Sequence, residues 1–235
     1  MKRPILLQGA MDVETDWLCG QLEHPVQSEH GGYQFWRGSA AGQEFVVSRT
    51  GIGTINAASA TALGITLFHP GAVVNQGLAG AHSEHLHVGD IVIGSSCVHI
   101  HDLEMPPRGR GEGMDPAAWG FHDHTGGEEA LVYDADPDWV RRFEKAPYWP
   151  GAKVSGRLGG GDVYSREYDR ILWLRARGGQ LCEDMESVAA YHVCRRFGVP
   201  CVGVRIISNN ELTGEGYRRE VGLELQQFVW DALTK

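Results

Sequence analysis

Residues 54–68, Thr-Ile-Asn-Ala-Ala-Ser-Ala-Thr-Ala-Leu-Gly-Ile-Thr-Leu-Phe, run into His69-Pro70-Gly71 and then into Ala72-Val73-Val74-Asn75. The first stretch is rich in Ala, has no proline and holds one internal glycine, which predicts a buried helix over 54–68. His-Pro-Gly is a strong helix stop. The apolar run after it predicts a strand. Working outward, Tyr33–Arg37 and Glu44–Arg49 read as two strands around the turn-forming Gly38 and Gly42, and Ile5-Leu6-Leu7 is a short apolar run stopped at Gly9. In the other direction, Asp90–Ile100 reads as a strand and Arg166–Arg177 as a helix. Glu186–Phe197 is a helix with Ala189, Val193 and Phe197 on one face, closed by Gly198-Val199-Pro200. Cys201–Ile207 is an apolar strand, and a last helix starts near Tyr217 with Val221, Leu225, Phe228 and Ala232 aligned. Strands alternating with helices predict an α/β fold: one domain over 1–235, with a central, mostly parallel mixed sheet flanked by helices. One segment stands apart. Residues 104–127 are rich in glycine and proline and aperiodic, and read as a solvated loop or insertion within that domain.

The chain has 235 residues, 42% of them hydrophobic, enough for a core that needs no disulfide or metal staple. Thirty acids against twenty-one bases give a net charge of −9, which argues against binding a nucleic-acid backbone but not against a neutral nucleoside. Five cysteines without a C-x-x-C pair suit free thiols in a reducing, cytoplasmic setting. The apolar stretch after Lys2-Arg3 is too short for a signal peptide, and no run approaches the roughly 18–20 apolar residues of a membrane helix.

Several familiar chemistries do not fit. Gly51-Ile52-Gly53 has Asn56 where a dinucleotide fingerprint needs its third glycine, and Gly159-Gly160-Gly161-Asp162 lacks the Gly-Lys-Ser/Thr of a P-loop. His99/His101 and His122/His124 are spaced two apart but lack the further ligands of a metal site, so no metal and no cofactor is expected.

Three clusters of acids and amides follow strand ends, where α/β sheets bind ligands: 9–14 (Gly-Ala-Met-Asp-Val-Glu), 182–187 (Cys-Glu-Asp-Met-Glu-Ser) and 204–210 (Val-Arg-Ile-Ile-Ser-Asn-Asn). Taken singly, each suits helix capping. Together with Ser48-Arg49-Thr50-Gly51-Ile52-Gly53, Val74-Asn75-Gln76-Gly77-Leu78-Ala79-Gly80, Val88-Gly89-Asp90-Ile91-Val92 and Gly161-Asp162, they resemble, in order and spacing, the bacterial 5′-methylthioadenosine/S-adenosylhomocysteine nucleosidases of the nucleoside phosphorylase superfamily. The resemblance covers nearly the whole chain, least of all 104–127.

It implies a nucleoside phosphorylase-like fold, a homodimer, and hydrolysis of a purine N-ribosidic bond to release adenine and a 5-thio-substituted ribose. By that resemblance Glu14 activates the attacking water. Glu186 holds the ribose hydroxyls with Met185 against the sugar, and Tyr164 stacks on the base. Main-chain groups at Ser165 read the purine edge, and Arg205 and Ser208 support the floor. Met11, Ile52, Leu78, Ala79, Gly80 and Asp184 complete the expected substrate site. The chemistry agrees: a carboxylate near the ribose stabilises an oxocarbenium-like sugar, and a second one orients and deprotonates water. Phosphorolysis would need cations, and neither 9–15 nor 75–80 holds an arginine.

Two departures from the family pattern stand out. Asn209 replaces the aspartate that gives purine N7 a proton, and an amide is no general acid. Leu78 replaces a small hydroxyl residue that helps place the water. The Ile-Ser-Asn ending also resembles futalosine hydrolases, so a 6-oxopurine nucleoside hydrolase is the alternative. A weakly catalytic nucleoside-binding homologue is a third reading, and a phosphorylase the fourth.

Overall fold

A computed structural model of the chain describes residues 3–122 and 131–235. The strands are β1 (Ile5–Gly9), β2 (Glu23–His30), β3 (Tyr33–Ala40), β4 (Gln43–Arg49), β5 (Ala72–Ala81), β6 (Ile91–His99), β7 (Leu103–Glu104), β8 (Gly120–Phe121), β9 (Val132–Asp134), β10 (Lys153–Gly160), β11 (Cys182–Asp184) and β12 (Cys201–Asn209). The helices are α1 (Asp12–Gly20), α2 (Thr54–Phe68), α3 (Pro137–Lys145), α4 (Tyr168–Gly178), α5 (Ser187–Phe197) and α6 (Val221–Thr234).

The expected helix over 54–68 is present with those bounds, and His69 ends it in the left-handed conformation. Its buried residues Ala57, Ala60, Thr61, Gly64 and Ile65 form one face. Gly64 lets Leu6 of β1 come against the helix; a side-chain carbon at 64 would lie 2.7 Å from it.

Strand alternation sorts the core onto two sides of the sheet. Leu7, Val47, Val74, Ile91, Ile93, Val202 and Val204 pack with α6 residues such as Leu225, Phe228 and Val229. Their neighbours Leu6, Val46, Val73 and Val92 pack on the other side with Ile65 of α2 and Tyr191 of α5. Fully burying each such side chain contributes about 1.5–3 kcal/mol. The sheet order is β11-β10-β6-β12-β5-β1-β4-β3-β2, with β9 added against β6. The β4–β1–β5–β12 and β6–β10–β11 pairings are parallel. Antiparallel contacts join β12 to β6 and β11 to β5, closing a ring of five strands.

Several boundaries differ from the sequence reading. The strand expected over 72–75 runs on through the glycines to Ala81 as β5. Gly38, read as a turn, lies inside β3, where a side chain would strike Leu22; the turn is at Ala41-Gly42. The last helix begins at Val221, because Tyr217 is drawn into a cavity wall and the Arg218 N–H donates to the Ser208 carbonyl (2.7 Å). In the 104–127 segment β7 and β8 pair and Pro116–Ala118 forms a 3-10 turn, while 123–127, with His124, lie outside the described residues.

Candidate active site

Carboxyl ends of β1, β5, β11 and β12 open onto one cavity of about 600 Å³, joined by the segments that follow β4 and β10. This is the edge of an α/β sheet where ligands bind. Its wall holds Met11, Glu14, Ile52, Leu78, Ala79, Gly80, Tyr164, Asp184, Met185, Glu186, Ser208 and Asn209.

Glu14 is held at both carboxylate oxygens by backbone donors. It is 2% exposed. One carboxylate oxygen accepts the Ala10 and Met11 N–H groups (2.6 and 2.9 Å), and the other accepts the Leu78 N–H (2.8 Å). Helix capping accounts for the Met11 bond only; the Leu78 bond reaches across to β5. Close approach requires Gly77, since a side-chain carbon there would sit 2.9 Å from Glu14 Oε1. Burial raises the Glu14 carboxyl above the usual range, against the pull of its backbone donors and of Arg205. Leu78 serves through its backbone; its side chain joins the core beside α6.

Glu186 stands just before α5, and its Oε1 accepts the Gly53 N–H (2.9 Å). Gly53 has φ +101°, a conformation other residues rarely adopt. Burial first, then the negative charges of Asp184 and Glu14, push the Glu186 carboxyl up to about 8. Asp184, not Glu186, caps α5: it accepts from the Glu186 and Ser187 N–H groups (2.8 and 2.6 Å) and from the Ser187 hydroxyl (2.6 Å). Arg205 is buried beneath the cavity, outside its wall, 3.1 Å from Asp184 and 2.8 Å from the Asn75 carbonyl.

At the far side, Tyr164 is 49% exposed and lines the cavity. The Ser208 hydroxyl lies 3.1 Å from both the Ala79 carbonyl and Asn209 Oδ1. Ser165 departs from expectation. It is buried outside the wall, with its N–H and hydroxyl both spent on Glu183 (2.6 and 2.7 Å), so its main-chain donor does not face a base.

Other motif positions have structural duties. Asp162 accepts from the Thr54 N–H at the start of α2 (2.7 Å), and Asp90 from the His87 and Ala152 N–H groups (2.8 and 2.7 Å). The wall also includes Glu183, which lies in the 182–187 cluster but was given no role, and Arg166, Glu211, Glu215 and Tyr217, which the motifs did not single out. Among the described residues, no group of three or more His, Cys, Asp or Glu side chains is placed to hold a metal ion.

The geometry joins a buried, elevated carboxyl to a second acid at a helix start, in a pocket floored by strand ends. That is the equipment of an enzyme acting on a glycosidic bond of a small nucleoside. Residues 4–232 match the family model of the phosphorylase superfamily. The chain is 33% identical over 230 residues to the 5′-methylthioadenosine/S-adenosylhomocysteine nucleosidase of Geobacillus kaustophilus, covering 97% of this chain and 90% of the relative. It is 32% identical over 204 residues to that of Aeromonas salmonicida, covering 86% and 84%. The crystal structure of the Colwellia psychrerythraea nucleosidase in complex with adenine superposes with a TM-score of 0.82 at 25% identity, covering 99% of this chain and 95% of that one. The chain belongs to the phosphorylase superfamily and, within it, to the family of 5′-methylthioadenosine/S-adenosylhomocysteine nucleosidases.

Proposed function

We propose that the protein hydrolyses the N-ribosidic bond of 5′-methylthioadenosine and S-adenosylhomocysteine, releasing adenine and a 5-thio-substituted ribose. The observation that carries this reading is Glu14, an elevated carboxyl held by three backbone N–H groups in the cavity wall. Glu14 takes a proton from water as the water adds to the anomeric carbon. The C–N bond electrons leave with the base, which departs as an anion and takes its proton from solvent water. In its ionised form, which gains population as pH rises toward 8, Glu186 accepts from the ribose hydroxyls and offsets the positive charge building on the sugar. Met11, Ile52 and Met185 pack against the sugar and its 5′ substituent, and Tyr164 against the base. Asn209 hydrogen-bonds N7 without protonating it.

Water is favoured over phosphate by the wall itself. Its one arginine, Arg166, is ion-paired with Glu211 (3.2 Å), and Arg205 is locked beneath the cavity. The test is chromatography for free adenine from methylthioadenosine and S-adenosylhomocysteine, with and without phosphate. Adenine release that requires phosphate, or none at all, refutes the proposal. Asn209 favours a second reading, a 6-oxopurine nucleoside as substrate, and hypoxanthine release from inosine in the same panel tests it.

The chain is read as a single domain, since helices on both faces pack on one sheet. A homodimer is supported by exposed Ile55 on α2, beside a groove shared with Ala58, Val188 and Ala189. Five free cysteines, four of them buried, suit the cytoplasm, and the products suit methionine salvage. No helix among the described residues is long and apolar enough to cross a membrane.

A further inference from the structure

Glu183 lines the cavity, is 5% exposed, and has no part in the steps above. In β11 it lies opposite Gly80 of β5, and Gly80 faces the Asn209 amide. It therefore stands at the end of the cavity that holds Asn209 and adjoins the Tyr164-Ser165 segment. Three donors converge on its carboxylate. Oε1 accepts the Ser165 N–H (2.6 Å); Oε2 accepts the Ser165 hydroxyl (2.7 Å) and lies 3.3 Å from His82 Nε2. His82 is itself buried, and the Gln180 amide nitrogen meets its Nδ1 at 2.9 Å, which leaves the ring proton on Nε2, pointing at Glu183. Burial pushes the Glu183 carboxyl up, but the bonds from His82 and Ser165 outweigh it and leave the group below its usual range. A carboxylate has about four acceptor sites. Three are engaged here, and the one left over is on Oε1.

We propose that Glu183 is a specificity-determining residue for the base: it accepts a hydrogen bond from an N–H on the six-membered ring edge of a purine, whether a 6-amino group or N1–H. The proposal rests on the reading of the cavity as a purine nucleoside site. The same arrangement removes the Ser165 N–H as a donor, so this stretch of wall presents acceptors. A base with only lone pairs on that edge sets them against a negative charge, and a site built for a donor strongly rejects an analogue without one.

The probes are free bases measured by titration calorimetry at neutral pH: adenine and hypoxanthine, which carry the donor, against purine and 6-chloropurine, which do not. A hydrogen bond to a charged group corresponds to roughly tenfold to hundredfold in affinity, so adenine and hypoxanthine should bind more tightly by that factor. Glu183→Gln can donate to a bare ring nitrogen and should collapse the ratio at least about tenfold. The base panel on the parent decides the matter even if that variant does not fold. If 6-chloropurine binds the parent as tightly as adenine, or the ratio survives in Glu183→Gln, the inference is overturned. Hydrolysis of methylthioadenosine without any donor preference sinks this inference alone. Donor preference without base release sinks the proposed activity alone, and absence of any base binding sinks both.

Discussion

Glu186→Gln removes a negative charge from a crowded acidic site while keeping the side chain's size and an acceptor for the Gly53 N–H. The carboxyl it replaces titrates at about 8, because burial and then the charges of Asp184 and Glu14 hold the proton on. The unfolded chain releases that proton near the ordinary value of 4.5. Between those values the folded protein keeps a proton that the unfolded chain has lost. Parent stability therefore falls as pH rises through the window and levels off above it. At about 1.4 kcal/mol per pH unit the loss is bounded near 4–5 kcal/mol, and solvent reaching a partly exposed carboxyl lowers it to roughly 2–4 kcal/mol. Glutamine does not titrate and escapes the loss. Each kcal/mol moves Tm by about 2–4 °C in a chain of this length, so variant and parent should melt together near pH 4.5 and the variant roughly 5–15 °C higher near pH 9. Ribose affinity runs the other way. A ribose diol donates to the ionised form, so parent affinity for a non-hydrolysed nucleoside should rise up to about tenfold per pH unit below pH 8 and then flatten. The variant should bind weakly, with no such rise. Scanning and titration calorimetry across one set of buffers read both. A melting gap that does not change with pH, together with pH-independent nucleoside affinity, would refute the reasoning.

Glu14→Gln should keep the fold and nucleoside binding but lose roughly 10²-fold or more in turnover, measured as base release in single-turnover experiments; parental turnover removes Glu14 as the base. In the parent, turnover should fall as pH drops through the raised Glu14 pKa, since only the ionised form can take a proton from water. Gly77→Ala places a carbon 2.9 Å from Glu14 Oε1 and should cost turnover far more than nucleoside affinity, read as a kcat loss at near-constant KM. Asn209→Asp should raise the rate on methylthioadenosine, most at or below neutral pH, where the new acid carries a proton for N7. A variant slower than the parent on that substrate would show that the amide is no handicap.

Helix α2 was legible because composition, start and stop agree along fifteen residues. Strands β4 and β6 were legible for the same kind of reason, as runs of β-branched residues. Strand β10 was not: Gly156, Gly159 and Gly160 spoil its propensity, and they are there because Leu181, Gln180 and Val188 press on them from neighbouring segments. Strand β2 is an exposed, largely polar edge with Pro25 inside it, so periodicity gave no sign of it. The glycines of β5 misled in the opposite direction. They look like a loop, yet Gly77 and Gly80 are flat strand positions that make room for Glu14 and Asn209. Motif order brought Glu14, Glu186, Tyr164 and Asn209 to one cavity. It gave no role to Glu183, although that acid lies within the 182–187 cluster, nor to Tyr217, whose place depends on a turn after β12.

The electrostatics of the site bear on which nucleophile it accepts. Glu14, Asp184 and Glu186 crowd around a single buried cation, Arg205, whose guanidinium is already committed to Asp184 and Asn75. Burial raises the Glu14 and Glu186 carboxyls, and for Glu186 the charges of Asp184 and Glu14 add to it. A phosphate entering such a site would add negative charge where none is compensated, since the backbone N–H groups near Gly77 are turned to Glu14 rather than left open for an anion. A ribose acquiring positive charge at its anomeric carbon has the opposite effect. It is drawn more strongly to an ionised carboxylate beside it as the bond breaks, so the interaction strengthens toward the transition state, which is the condition for acceleration rather than mere binding. Water is neutral and needs only a base, the role proposed for Glu14, whose carboxylate is fixed by three backbone donors. A cavity lined by acids, with its buried arginine committed to Asp184, therefore favours hydrolysis over phosphorolysis without any residue dedicated to excluding phosphate.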